Sequence, residues 1–209
     1  SDIEIGSTCE LLFELINELG HEKNIDSNIA SCLYLGMMTD TGSFQYASVT
    51  SRTHEIISKL IQKGINQSDI HNKVYNNSSI SRLKVLGSAL SNLNVLKELN
   101  TVYMYLKRDD LKKFDFQKGD SEGIVNYGLS LKNIIFSVMF IEDINDENNI
   151  KISFRSQDGF SCNEFANKHF NGGGHTNAAG GRDDGPIKET IQKFKKLINK
   201  YKDNLTINK

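Results

Sequence analysis

A change in hydrophobic pattern about halfway along this sequence divides it into two parts that must fold differently. In the first part, apolar residues recur at helical spacing behind capping residues such as Ser7 and Thr50. In the second part, aromatic and β-branched runs such as 101–106 appear between helical segments, which favours strands. The sequence therefore predicts an all-helical part over residues 1–98 and an α+β part over residues 99–209.

The spacing of apolar residues also predicts the individual elements. In the first part we expect helices over residues 7–19, from 26 or 27 to about 40, 51–64, 68–75 and 78–96, with a short strand near 93–96 as an alternative ending. In the second part we expect strands over 101–106, 134–141 and 150–154, helices over 161–170 and 187–201, and a frayed tail over 204–209. Since the helical part has no sheet of its own, its helices either form a bundle or cover a sheet that lies before Ser1.

Composition excludes several classes of protein. A formal net charge of −1 provides no general basic field for binding long nucleic acid, although a small anion held by a few local groups is compatible with it. Cys9, Cys32 and Cys162 show no paired spacing and are interpreted as reduced, buried thiols. No apolar run is long enough to span a bilayer and no signal peptide is evident, so we expect a cytoplasmic protein without a membrane partner.

Three consecutive glycines followed by a histidine form the segment best suited to binding an anion. Gly172, Gly173 and Gly174 leave backbone N–H groups open to a phosphate, and His175 can donate to an anion or stack on a base. Residues 176–179 read as a helix start, whose dipole favours negative charge. The alternative is a flexible loop that is merely rich in glycine, because glycine is common at turns. The segment matches neither a Walker A loop nor a dinucleotide fingerprint.

Asp40 is the carboxylate most suggestive of a metal ligand. It lies near the end of a predicted helix and is followed by Thr41, Gly42 and Ser43, where a tight turn could present it to Mn²⁺ or Mg²⁺. Local sequence favours a second interpretation, in which Asp40 only caps that turn through its side chain. The other histidines occur singly, so one carboxylate does not complete a metal site.

Arg155 and Ser156 follow a predicted strand. A guanidinium at a strand end, with a hydroxyl beside it, is suited to forked binding of a phosphate. The alternative is a surface ion pair of Arg155 with Asp158 or Glu164. The order strand, Arg-Ser, helix and glycine run favours the first interpretation, because one supersecondary unit could direct these groups to one anion.

Taken in this order, the segments resemble the DHH family of phosphoesterases, of the bifunctional oligoribonuclease and pAp phosphatase type. The segments that carry the resemblance are Thr39–Phe44, Phe154–Ser156 and Asn171–Gly180, together with the helical segments 6–11 and 82–87. It extends over nearly the whole chain, and the set is more specific than any one motif. The glycine-rich motif is also shared with single-strand exonucleases and an RNA-binding domain of alanyl-tRNA synthetases.

The resemblance implies an α/β-family fold: over 1–98 the helical end of a DHH domain with a connecting helix, and over 99–209 a DHH-associated domain with a mixed sheet. It also implies a phosphoesterase that uses two Mn²⁺ ions, or Mg²⁺, to hydrolyse short oligoribonucleotides or pAp to mononucleotides. Asp40 would be a catalytic metal ligand, and the substrate phosphate would be held by Arg155, Ser156, Gly172, Gly173, Gly174 and His175. Short RNA or small phosphorylated nucleotides are the expected partners, and a homodimer is compatible with this.

Two departures from the family pattern matter. The Asp-His-His motif that names the family is absent from this sequence, so we expect a fragment that is inactive by itself. Asn171 replaces one glycine of the usual run, but it tolerates left-handed backbone geometry. Alternative functions are a non-catalytic nucleotide- or RNA-binding module, and a hydrolase of linear or cyclic dinucleotides.

Overall fold

A computed structural model of the chain describes residues 5–146, 148–157 and 159–206. The first part of the chain consists of helices that begin at side-chain caps. Contacts divide the chain into two compact units, Ser1–Ser78 and Ser79–Lys209. The α-helices described in the first unit are α1 (Thr8–Glu18), α2 (Ser27–Asp40), α3 (Ser51–Gln62) and α4 (Gln67–Tyr75). Their ends agree closely with the sequence prediction, because capping side chains mark them locally.

The caps show why these helices begin where they do. The Ser7 side chain accepts the Cys9 N–H, and Asp26 accepts two N–H groups at the start of α2. Thr50 and Thr53 form a reciprocal capping box at the start of α3. Each cap satisfies backbone donors that a helix leaves without intrahelical partners.

The core of the first unit centres on α2. The buried side chains of α2 are Ala30, Leu33, Tyr34, Met37 and Met38, and they pack with Phe13 of α1 and Ile56 and Leu60 of α3. Leucines of α1 and its C-cap are largely exposed: Leu15 is 51% and Leu19 is 63% accessible, whereas Glu10 and Phe13 are the residues that α1 buries. The side of α1 that packs against α2 and α3 is therefore not its most leucine-rich side.

The second unit is a mixed six-stranded sheet with helices. Its elements in chain order are α5 (Ile80–Ser91), β1 (Asn94–Leu96), β2 (Thr101–Leu106), α6 (Arg108–Lys113), α7 (Asn126–Leu129), β3 (Phe136–Glu142), β4 (Asn149–Ser156), α8 (Cys162–His169), β5 (Gly173–His175), β6 (Ala178–Asp184) and α9 (Ile187–Ile198). The strand order is β1-β2-β3-β4-β6-β5, and β2 with β3 is the parallel pair. This arrangement confirms the predicted fold class.

The two faces of this sheet are covered differently. Alternate residues of β4, such as Ile152 and Phe154, belong to an aromatic-rich core with residues of α8 and α9. On the opposite face, Met139 of β3 packs in a second core with residues of α5 and α6. The strict alternation follows from the two-residue repeat of a strand.

Several boundaries differ from the sequence prediction. The helix expected over 78–96 ends at Ser91, and the alternative short strand, β1, follows it. The helix α5 packs against β2, and contacts divide the chain into compact units between Ser78 and Ser79. The predicted domain boundary at 98 stays a prediction. The tail from 204 is helical through Leu205, which is buried; residues 207–209 lie outside the described residues.

The three thiols are free, but their burial differs. Cys162 is buried, Cys9 is half-buried and Cys32 is exposed, so the expectation of buried thiols holds fully only for Cys162. Burial raises the pKa of the Cys162 thiol, which keeps it protonated near neutral pH. Within the part of the chain that the structure describes, no helix combines the length and hydropathy needed to cross a bilayer.

The environment of His169, the last residue of α8, leads us to expect that the stability of the folded chain depends on pH. Its Nε2 atom lies 2.8 Å from the Tyr201 hydroxyl. Burial, together with the charges of Lys168, Lys200 and Lys193, lowers the pKa of His169 below its ordinary value. Because the unfolded chain binds the proton more tightly, this stability is complete above about pH 6.5 and is lost as pH falls through the folded-state pKa.

We therefore expect the melting temperature of the wild-type chain to fall more steeply below about pH 6.5 than that of His169→Asn, which cannot titrate. Thermal melts of both proteins across that range provide the comparison. Parallel curves for the two proteins would show that His169 carries no such linkage.

Candidate functional site

The glycine-rich segment forms a β-hairpin and not the start of a helix. Strands β5 and β6 pair antiparallel around the two-residue turn Thr176-Asn177, with His175 opposite Ala178. The predicted helix start over 176–179 is therefore wrong. The hairpin forms because β6 completes seven paired positions with β4, and this tertiary pairing outweighs the weak local preferences of glycine and alanine.

Two of the three glycines are required by packing. A Cβ atom at Gly172 would lie 2.2 Å from the Gly180 carbonyl oxygen, and one at Gly174 would lie 2.4 Å from the Ala178 carbonyl oxygen. A Cβ atom at Gly173 would meet only ordinary contacts, the nearest at 3.9 Å. Gly172 and Gly174 therefore let β5 lie directly against β6, and Gly173 is the sterically open position.

The residues before the hairpin fix the path of the chain from the end of α8 into β5. Asn171 adopts a left-handed conformation with φ of 44°, as its side chain permits. The Gly172 N–H donates to the Ala166 carbonyl, and the Arg182 N–H donates to the Phe170 carbonyl at 2.7 Å. These bonds hold β5 and β6 against the end of α8.

Arg155 and His175 lie in one row across three strands. Arg155 of β4 pairs with Ala178 of β6, and Ala178 pairs with His175 of β5. Two strand spacings put the Cα atoms of Arg155 and His175 roughly 10 Å apart, a gap that a long guanidinium side chain and an imidazole can close around one anion. Ala178 between them is small and leaves this row open.

The local contacts of Arg155 leave its guanidinium available. The side chain is half-buried and its Nη1 donates to the carbonyl of Phe154 at 2.8 Å. Of the two partners predicted for an ion pair with Arg155, Asp158 lies outside the described residues, and the ion pairs of the described part of the chain do not include one with Glu164. His175 is exposed. Both side chains can therefore be reached from solvent.

The Ser156 side chain is buried, and its hydroxyl is engaged in hydrogen bonds within the protein. It is 4% exposed, and its hydroxyl donates to the Phe160 carbonyl at 2.5 Å and accepts the Cys162 N–H at 3.3 Å. The expected direct contact between this hydroxyl and a phosphate does not fit this arrangement. Its bonds instead hold the start of α8 against the end of β4, which positions the neighbouring Arg155.

The open sheet face contains cations that the sequence analysis did not single out. Lys151, Ser153 and Arg155 alternate along β4 and so share the face opposite the buried Phe154. Lys151 pairs directly with Arg182 of β6, and both are exposed. The alternation of buried and exposed residues along β4 could have identified Lys151 from the sequence. Arg182 could be identified only from the register in which β6 pairs with β4.

Asp40 lies by itself at the end of α2. Its carboxylate is exposed and accepts the Ser7 hydroxyl at 3.1 Å. The following turn is held by Thr41, whose Oγ1 donates to the Met37 carbonyl and accepts the Phe44 N–H. The predicted turn-capping role belongs to Thr41, and Asp40 is left free of that role.

The turn after Asp40 has unusual backbone geometry. Gly42, Ser43 and Phe44 have φ values of 57°, 59° and 66°, so three consecutive residues are left-handed. Such geometry is strained for residues with side chains and is often found at functional sites. The Phe44 ring packs near Tyr34 and His54, which stabilises this conformation.

The residues of the described chain do not by themselves form a metal centre. No group of three or more His, Cys, Asp or Glu side chains that could hold an ion occurs within 5–146, 148–157 and 159–206. Asp40 contributes a single carboxylate, whereas a divalent ion needs several ligands. The donor set of these residues therefore does not fit a two-metal site.

Comparison with known proteins places this chain in a family. The family profile of the DHHA1 domain matches residues 98–204, just over half of the 209 residues. The chain is 29% identical over 180 residues to the bifunctional oligoribonuclease and PAP phosphatase NrnA of Bacillus subtilis, a match covering 86% of this chain and 55% of that protein. The protein of the same name from Thermus thermophilus is 26% identical over 200 residues, covering 96% of this chain and 57% of its own length.

A solved structure supports the same placement. The crystal structure of an exopolyphosphatase-related protein from Bacteroides fragilis superposes with a TM-score of 0.92 and 47% identity, covering 97% of this chain and 58% of that one. The chain thus spans about half the length of the curated relatives it matches. These matches and the mixed sheet carrying the glycine hairpin agree: the chain belongs to the DHHA1 domain family, whose profile matches residues 98–204.

Proposed function

We propose that this chain binds the phosphate groups of short nucleotides on the open sheet face of its second unit. The observation that supports this is the row of Arg155, Ala178 and His175 beside the open Gly173. A guanidinium can bind a phosphate in a forked, charge-assisted manner, and the small residues between the two side chains permit close approach. With a net charge of −1, the chain relies on such local cations, which suits small substrates better than long polymers.

In a protein with the full length of the relatives, we propose hydrolysis of short oligoribonucleotides or pAp to mononucleotides. Relatives named as oligoribonucleases and PAP phosphatases support this proposal. Mn²⁺, with Mg²⁺ as the alternative, is the proposed cofactor. Asp40 would supply one carboxylate to that metal site, which the described residues do not complete. Arg155 and His175 would orient the substrate phosphate, and we assign no reaction step to them.

Titration calorimetry with pAp in the presence of EDTA tests the binding proposal on the purified chain. We expect saturable binding that weakens as salt is raised, because the contacts are charge-assisted. A heat signal indistinguishable from dilution at low salt would overturn the proposal.

A second function, a binding module without catalysis, is favoured by the absence of a metal-ligand cluster from the described residues. Both alternatives predict that the 209-residue chain binds nucleotide but shows no Mn²⁺-dependent turnover. The assay is release of phosphate from pAp and of mononucleotides from a trinucleotide, with and without added Mn²⁺. Robust turnover by the purified chain would contradict this prediction.

The two functions separate when the chain is joined to the part of a relative's sequence that it does not cover. The hydrolase proposal expects Mn²⁺-dependent cleavage by the longer protein, and that cleavage should be lost in Asp40→Asn. Binding without cleavage by the longer protein would instead support the module.

A further inference from the structure

We infer that a cavity beside Lys151 is a second nucleotide subsite, which binds the distal end of a short oligonucleotide whose phosphate is held by Arg155 and His175. The inference rests on the proposed function and extends it to substrate length. The cavity has a volume of about 440 Å³ and lies within the second unit. Its lining includes Phe116, Lys118, Ile141 and Lys151.

The strand register connects this cavity to the phosphate site. Lys151 pairs with the cavity residue Ile141 on one side and with Arg182 on the other. Lys151 and Arg155 lie four residues apart on β4 and point to the same face, so they are about 13 Å apart. That span corresponds to between two and four nucleotide steps, since a stacked strand rises about 3.4 Å per step and an extended one roughly twice that.

The surface between the phosphate site and the cavity carries small and polar residues. Ser153 of β4 pairs with Gly180 of β6, so on these two strands the row between Lys151 and Arg155 carries little side-chain bulk. The covering helices of this face pack over β2 and β3, and α7 also contacts β4, while Ser153 is half-buried and Gly180 is exposed. A sugar-phosphate chain could therefore follow β4 from one site to the other.

The chemistry of the cavity suits a nucleotide. Lys118, Lys151 and the adjacent Arg182 are exposed cations for phosphate contact, and the half-buried Phe116 offers a ring for base stacking. The carboxylates of Glu142 and Asp143 also line the cavity. Glu142 already accepts the Arg108 N–H, and Asp143 accepts the N–H groups of its own turn, so both are engaged in local structure.

The loop that carries Phe116 and Lys118 is held in place. The buried Asp120 accepts the Ser79 and Ser81 hydroxyls and the Gln117 N–H. Arg82 donates to three carbonyls of the same loop, those of Gly119, Asp120 and Glu122. Because this loop is already held in place, less conformational entropy is lost when a flexible ligand binds against it.

The test compares pAp, which carries a single nucleoside, with the tetranucleotide ApApApA by calorimetry in EDTA. For the double variant Lys118→Ala/Lys151→Ala we expect about tenfold weaker binding of the tetranucleotide and less than a twofold change for pAp. Lys188→Ala, which removes an exposed lysine on α9, should change neither. Phe116→Leu, which keeps apolar packing, should also weaken only the tetranucleotide, with circular dichroism confirming the fold.

Each remaining outcome overturns one proposal. Unchanged tetranucleotide affinity in the double variant, or equal losses for both ligands, would refute the distal subsite and leave the phosphate site intact. If wild-type protein binds neither ligand, the proposed function fails and the distal subsite fails with it. If Arg155→Ala affects neither ligand, the phosphate site is wrong.

Discussion

Replacing Gly172 with alanine should lower the free energy of unfolding of the second unit by about 3 kcal/mol, because the added methyl group has no space. Its Cβ would lie 2.2 Å from the Gly180 carbonyl oxygen and 2.9 Å from the Gly181 Cα. Both are backbone atoms of β6, which cannot move without breaking its pairing with β4. Denaturant unfolding followed by circular dichroism measures the loss.

Gly173→Ala is the matched control for this substitution. The same methyl group at Gly173 would meet only the Asn163 and Asn167 side chains, at 3.9 and 4.0 Å, so the change in stability should stay below about 1 kcal/mol. Similar losses in the two variants would show that the hairpin does not depend on the close approach of β5 to β6.

Replacing Arg155 with alanine should weaken binding of pAp about 30-fold, the equivalent of about 2 kcal/mol for a charge-assisted contact. Arg155→Lys should give an intermediate loss, because it retains the charge but not the planar fork. Calorimetry at two salt concentrations should also show a smaller salt dependence for Arg155→Ala, since one phosphate contact is missing.

The weaker pAp binding expected for Arg155→Ala should not result from unfolding of the protein. The Arg155 side chain is half-buried and its described hydrogen bond is to the carbonyl of its own neighbour, Phe154. We therefore expect the melting temperature of Arg155→Ala to stay close to that of wild type. Full pAp affinity in a folded Arg155→Ala protein would contradict the assignment.

The sequence predicted the features that depend on local chemistry. The starts of α1, α2 and α3 follow from Ser7, Asp26 and Thr50, whose side chains satisfy nearby N–H groups. The left-handed Asn171 was expected for the same kind of local reason. The left-handed Phe44 was not, because no local rule favours that conformation for an aromatic residue.

The missed features depend on pairing between distant strands. Glycine and alanine have little strand propensity, so β6 was mistaken for a helix start, and only its register with β4 makes it a strand. That register also brings Arg182 beside Lys151 and buries the Ser156 hydroxyl. The convergence of these residues on one anion stays a prediction, and their individual environments could be described only from tertiary contacts.

A double-mutant cycle tests most directly whether Arg155 and His175 bind a common phosphate. Calorimetric titration of pAp into wild type, Arg155→Ala, His175→Ala and the double variant gives the coupling between the two side chains. We predict that the double variant loses clearly less affinity than the two single losses summed, because either substitution already releases the shared phosphate. Strictly additive losses, or no loss in His175→Ala, would contradict the account.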